Sequence, residues 1–185
     1  ILHLHGGGFV LGAPDMLAAR NDLIADALGA VVVSVDYRLS PQQAYPAALD
    51  DIYEALAWLV DQAEALAIDP TRIAVLGEKA GHAAPTTQVW TWQRNDYAWR
   101  AYLGAHFAQD WADEAVPFAA HDLAGLAPFY MSVGDCDILA DDVCAFAARL
   151  HSAGTACTLN IYEGGVHGFE VLMPQARLAQ CAHAD

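Results

Sequence analysis

Residues 72–81 read Arg72-Ile73-Ala74-Val75-Leu76-Gly77-Glu78-Lys79-Ala80-Gly81. Arg72 to Leu76 is a short apolar run with β-branched members, the pattern of a buried strand. It passes directly into two glycines spaced four apart. Glycines at those positions permit a sharp strand-to-helix turn, the G-x-S-x-G frame that presents its central side chain at the top of a sheet. The frame is intact here, but its centre is Lys79, the single lysine among eight basic residues.

Upstream, Ile1-Leu2-His3-Leu4-His5 is an apolar run that stops at Gly6-Gly7-Gly8. Residues 15–28 have helical apolar spacing, with Gly29 as a C-terminal stop. Ala30 to Val35 predicts a strand buried on both faces. Residues 47–67 predict a long helix, broken at Asp69-Pro70-Thr71. Downstream, Phe129 to Val133 and Thr155 to Tyr162 predict two further strands. A helix is expected over 139–152, closed by Gly154, and a last one from near Pro174. Val89 to Trp92 is read as a loop that packs Trp90 and Trp92, with a substitute strand as the alternative. Strands alternating with helices imply βαβ units, hence an α/β fold with a mostly parallel sheet of about five strands flanked by helices. One domain is expected over residues 1–185.

In such sheets, chemistry sits beyond the carboxyl ends of the strands. The first loop there is His5-Gly6-Gly7-Gly8-Phe9. Consecutive glycines let backbone N–H groups turn toward one point and stabilise a developing oxyanion. Alone, such a run is also an ordinary flexible turn. The loop after residue 133 holds Gly134-Asp135-Cys136-Asp137, and the loop after residue 162 holds Gly164-Gly165-Val166-His167-Gly168-Phe169. Taken singly, Asp137 fits a turn or helix cap and His167 an unremarkable loop histidine. Taken together, the order elbow residue, acid, histidine is that of a nucleophile–acid–base set.

Charge narrows the partners. The chain carries 23 acidic against 8 basic residues, a formal net charge of −15. That composition offers no footprint for nucleic acid and is repelled by anionic membranes. No apolar run approaches the ~18 residues needed to span a bilayer, and no secretory leader is visible although the chain opens at Ile1 without Met. The cysteines Cys136, Cys144, Cys157 and Cys181 lack C-x-x-C spacing. They are expected to be free, buried thiols in a reducing, cytoplasmic setting. His3/His5 is strand spacing, and no histidine–carboxylate helix pair suggests a metal.

The chain resembles the hormone-sensitive-lipase-like family of α/β-hydrolases, a group of carboxylesterases and lipases. The resemblance rests on HGGGFVLG (5–12), VVVSVDYRLSPQQAYPAALDD (31–51), DPTRIAVLGEKAG (69–81), DLAGLAPFYMSVGDCDIL (122–139) and YEGGVHGF (162–169). It implies oxyanion-hole N–H groups at Gly7, Gly8 and Ala80, with Asp137 orienting His167 and His167 as general base. It further implies action on esters of short to medium acyl chains without a cofactor. Four departures stand out. Lys79 replaces the nucleophile. His82 stands where a small residue is usual and is expected to crowd the elbow. Gln42 replaces a common Glu, which is expected to weaken a local ion pair. The chain is also short: it lacks counterparts of the family's first two strands, of most of the cap, and of one strand between residues 76 and 129, so a partial α/β-hydrolase fold is expected.

Lysine cannot substitute for serine in this chemistry. The hydroxyl must give its proton to histidine and carry the acyl group. A lysine amine is protonated at neutral pH unless strongly desolvated, and Glu78 would hold the proton on. An acylated amine would be an amide, which does not turn over readily. The remaining serines, Ser34, Ser40, Ser132 and Ser152, lie in no elbow. The expectation is therefore an ester-hydrolase scaffold, impaired or inactive as it stands. The alternatives are a non-catalytic pseudo-hydrolase whose Lys79 faces a small carboxylate ligand, and a non-functional partial gene product. Schiff-base chemistry at Lys79 is not favoured, since nothing points to a pocket that depresses its pKa.

Overall fold

The computed structural model describes residues 1–77, 90–108 and 115–184. The chain divides into two compact units, Ile1–Ala80 with Tyr97–Asp110, and Gly81–Asp96 with Trp111–Asp185.

The first unit is built on three parallel strands, β1 (Leu2–Leu4), β2 (Val33–Val35) and β3 (Val75–Gly77), in the order β2-β1-β3. Leu2 pairs with both Val33 and Val75, so β1 is the central strand. The crossovers are α1 (Ala18–Leu28) and α2 (Ala47–Asp61). Helix α1 ends where Gly29 takes φ 57°, a left-handed conformation that suits glycine. Helix α2 turns Ala48, Ile52, Ala55, Leu56 and Leu59 toward one side, the spacing of an amphipathic helix. These residues pack with Leu2, Val35 and Tyr37 as the core.

The second unit is built on β4 (Phe129–Gly134) and β5 (Cys157–Tyr162), parallel and in register from Phe129 with Cys157 to Gly134 with Tyr162. Helix α4 (Ala140–Ser152) is the crossover and buries Val143, Phe146, Ala147 and Leu150, one face at i, i+3, i+4, i+7. Phe146 and Leu150 form a core with Ala120 and Leu123, flanked by Phe129 and Met131. The Arg149 guanidinium donates to the carbonyls of Phe118 and Ala120, tying the segment before β4 to α4. Two short helices, α5 (Phe169–Leu172) and α6 (Arg177–Ala184), close the chain. A further helix, α3 (Trp92–Leu103), contributes residues to both units.

The architecture is α/β with parallel strands flanked by helices, as expected, but several details differ. The described strands form a three-stranded and a two-stranded sheet. The expected strand at 72–76 lies at Val75–Gly77, an end strand of the sheet among the described residues, and Val75 is 61% exposed. Helix α2 stops at Asp61 rather than 67, and irregular turns follow as far as Ala67, at φ 53°. Helix α3 was not anticipated; Trp92 opens it and is 42% exposed, so of the two tryptophans expected to pack in a loop only Trp90 does so. The four cysteines are free, but none is buried, and Cys136 and Cys181 are exposed. Among the described residues no helix is long and apolar enough to cross a membrane.

Candidate active site

The glycine loop after β1 is shaped by sterics. Gly7 has φ 124°, and a Cβ there would lie 2.0 Å from the Leu11 carbonyl oxygen. The N–H groups of Val10 and Leu11 both donate to the Gly7 carbonyl, which closes a tight turn. A Cβ on Gly12 would lie 2.4 Å from His5 Nδ1, so the loop also folds closely over the imidazole. His5 is buried and stacks on Tyr37 with ring centres 4.1 Å apart. The Tyr37 hydroxyl donates to the His5 carbonyl at 2.5 Å, and the Ser40 N–H donates to the Phe9 carbonyl. These contacts hold Gly6–Phe9 in one conformation, the property an oxyanion site requires. Beside Gly8 lies a cavity of about 30 Å³ lined by Phe9, Ala98, Trp99 and Tyr102. Burial, with Tyr45 nearby, holds the Tyr102 phenol well above its ordinary pKa, so this apolar wall stays uncharged.

In the second unit, the loops leaving β4 and β5 are bonded to each other. Asp135 N–H donates to the Tyr162 carbonyl, Cys136 N–H to the Gly165 carbonyl, and Gly164 N–H to the Asp135 carboxylate at 2.7 Å. The backbones approach so closely that a Cβ on Gly134 would lie 2.1 Å from the Gly165 oxygen. This contact sets how the two loops face each other, and it brings Asp137 to His167.

Asp137 divides its carboxylate between two tasks. Oδ1 accepts the Leu139 N–H at 3.0 Å at the start of α4, and Oδ2 lies 3.0 Å from His167 Nδ1. The turn role and the acid role weighed for Asp137 are therefore both filled, one oxygen each. The carboxylate accepts only, so His167 Nδ1 carries the hydrogen and Nε2 is left as the basic nitrogen. The Asp137 side chain is 8% exposed and that of His167 is 26% exposed. The aspartate is thus shielded while the imidazole keeps an open edge. Trp90 stacks on the His167 ring with centroids 5.9 Å apart and 25° between planes. Sequence reasoning gave Trp90 no role at the site.

Cys136, next to the pair, is exposed, and its thiol is pushed up by a hydrogen bond to Asp135 and by that group's negative charge. It therefore stays protonated and is a poor nucleophile. Lys79 and Ala80, with Glu78 and His82, lie outside the described residues. Among the described residues no group of three or more His, Cys, Asp and Glu is placed to hold a metal.

Parallel βαβ units, a glycine loop after the first strand and an Asp–His pair on the loops after the last two strands define the carboxylesterase type of α/β hydrolase. The chain belongs to that family: the α/β-hydrolase-fold profile matches residues 1–84 and 81–171. Ethyl acetate hydrolase of Pseudomonas putida is 33% identical over 91% of this chain, which spans 65% of that relative's length. Among solved structures, esterase LipW from Mycobacterium marinum superposes with a TM-score of 0.90 at 31% identity, covering 99% of this chain and 69% of LipW. A bacterial heroin esterase superposes with a TM-score of 0.92 at 30% identity, covering 99% of this chain and 71% of its own.

Proposed function

We propose that this chain is a carboxylic-ester hydrolase scaffold that keeps its acid–base pair and has lost its nucleophile. The single observation that carries this reading is the 3.0 Å hydrogen bond from His167 Nδ1 to Asp137 Oδ2. It fixes the tautomer that leaves Nε2 free to take a proton, the arrangement needed to activate a hydroxyl. With a serine hydroxyl at position 79, Asp137 would stabilise the imidazolium that forms, and the same imidazolium would return the proton to the leaving alcohol.

The family resemblance assigns Gly7 and Gly8, with Ala80, as backbone N–H donors to the oxyanion of a tetrahedral intermediate. Catalysis needs no cofactor. The substrate is a small ester with a short to medium acyl chain.

In the sequence, Lys79 takes the nucleophile position of the G-x-S-x-G frame. A lysine there has no hydroxyl to give His167 a proton and carry the acyl group. Ester turnover by the chain itself is therefore impaired. The experiment is Lys79→Ser followed by hydrolysis of p-nitrophenyl acetate and butyrate. A gain of activity in the folded variant supports the reading, and no gain overturns it.

A further inference from the structure

Trp90 is the last residue before the N-cap of α3. Thr91 is that cap: its Oγ1 accepts the Arg94 N–H at 3.3 Å, and its carbonyl accepts the Asn95 N–H at 2.9 Å. Trp90 and Asn95 therefore occupy the N′ and N4 positions, which in many helices make an apolar contact that sets how the chain approaches the helix. Here the contact is polar. The Trp90 indole Nε1–H donates to Asn95 Oδ1 at 3.1 Å. An indole nitrogen only donates, so the amide oxygen must face it, and this fixes the orientation of the Asn95 side chain.

Asn95 is 1% exposed, and its Nδ2 is buried with no hydrogen-bond partner among the described residues. An unpaired buried donor is destabilising. An apolar residue at N4 would avoid that cost, so stability does not account for the asparagine. What Asn95 does provide is a fixed rotation of the Trp90 ring. That ring packs on Ile138 and Leu139, the residues directly after Asp137, and stacks on the His167 imidazole. Asn95, Trp90, His167 and Asp137 all lie in the second unit.

We infer that Trp90, held by Asn95, is a positioning residue for His167: it supports one face of the imidazole while Asp137 holds its Nδ1 edge. Two constraints at right angles, a hydrogen bond in the ring plane and an aromatic wall against the ring face, leave the imidazole one orientation. The inference rests on reading His167 and Asp137 as a retained catalytic pair. Its chemical content is pre-organisation, in which small misplacements of a base carry large losses in rate.

The test has one arm that needs no activity. In the chain as it stands, the stacked indole displaces the His167 carbon-bound ring protons by its ring current. These protons are assigned by their loss in His167→Asn. Trp90→Leu keeps apolar packing on Ile138 and Leu139 but removes the ring current, and it should move the His167 resonances toward the values of an unstacked histidine. Asn95→Leu should move them in the same direction, and Trp90→Phe should retain part of the displacement. In a Lys79→Ser background, Trp90→Leu should lower kcat about tenfold or more with little change in KM, and Trp90→Phe should recover part of it. Folded Trp90→Leu with unmoved His167 resonances overturns the inference, as does an equal loss in kcat for Trp90→Leu and Trp90→Phe. If Lys79→Ser gains no activity, the esterase reading fails while the resonance arm still decides the role of Trp90.

Discussion

Asp137 and His167 meet at 3.0 Å because Gly134 and Gly165, where their two loops leave the strands, touch backbone to backbone. The acid–base pair thus depends on two side-chain-free positions as well as on its own members. This makes the separate parts of the site separately testable.

Asp137→Asn separates the two tasks of that carboxylate. The amide oxygen can still accept the Leu139 N–H, so thermal stability should change little. Its NH₂ would face His167 Nδ1 and move the ring hydrogen to Nε2, the wrong tautomer. In a Lys79→Ser background this should lower kcat by about 10³–10⁴-fold, the scale found for such tautomer errors in serine proteases. Asp137→Ala should show the same loss in p-nitrophenyl butyrate hydrolysis and also lower stability by about 1 kcal/mol through the lost hydrogen bond from the Leu139 N–H.

Gly134→Ala places a methyl group 2.1 Å from the Gly165 oxygen, with backbone on both sides and no flexible side chain to yield. The variant should be less stable by about 1–3 kcal/mol, the usual cost of overpacking, measured by urea denaturation. Gly154→Ala is a useful contrast, since nothing lies near its Cβ and only its φ of 79° is at stake.

The buried His3 gives the fold a pH dependence near neutrality. Its pKa is lowered first by burial, then by the positive charge of Arg20 and by His5. Arg20 Nη2 donates to His3 Nε2 at 3.2 Å, and Nδ1 lies 2.6 Å from the Ser34 hydroxyl, contacts that suit the neutral ring. The unfolded chain therefore takes up this proton at a higher pH than the folded chain does. Stability should be greatest above that pH and fall as pH drops below it toward 5. Urea midpoints measured from pH 8 to 5 check this. His3→Asn should flatten that part of the profile, and an unchanged slope would contradict the assignment.

The parts of the site legible in the sequence were those whose chemistry depends on residue type and place after a strand. The candidate residues Gly6–Gly8, Asp137 and His167 are of this kind, and the alternation of apolar runs with helical spacing located the five strands of the described residues to within a few positions. What was not legible depends on which neighbour a side chain meets. Helix α3 carries exposed Trp92 and Tyr97 beside buried Asn95, Ala98 and Tyr102, so its polarity does not report its buried face. The role of Trp90 follows from a hydrogen bond to a buried asparagine, a residue type that ordinarily signals a solvent face. The cysteines misled for a related reason, since their general preference for burial says nothing about a turn residue such as Cys136.

The most direct measurement is the rate of p-nitrophenyl butyrate hydrolysis by folded Lys79→Ser, beside the unaltered chain and the double variant Lys79→Ser/His167→Asn. The account predicts turnover in Lys79→Ser, little or none in the unaltered chain, and loss of the gain when His167 is also replaced. Folded Lys79→Ser no faster than the unaltered chain, or a gain that survives the loss of His167, would contradict it.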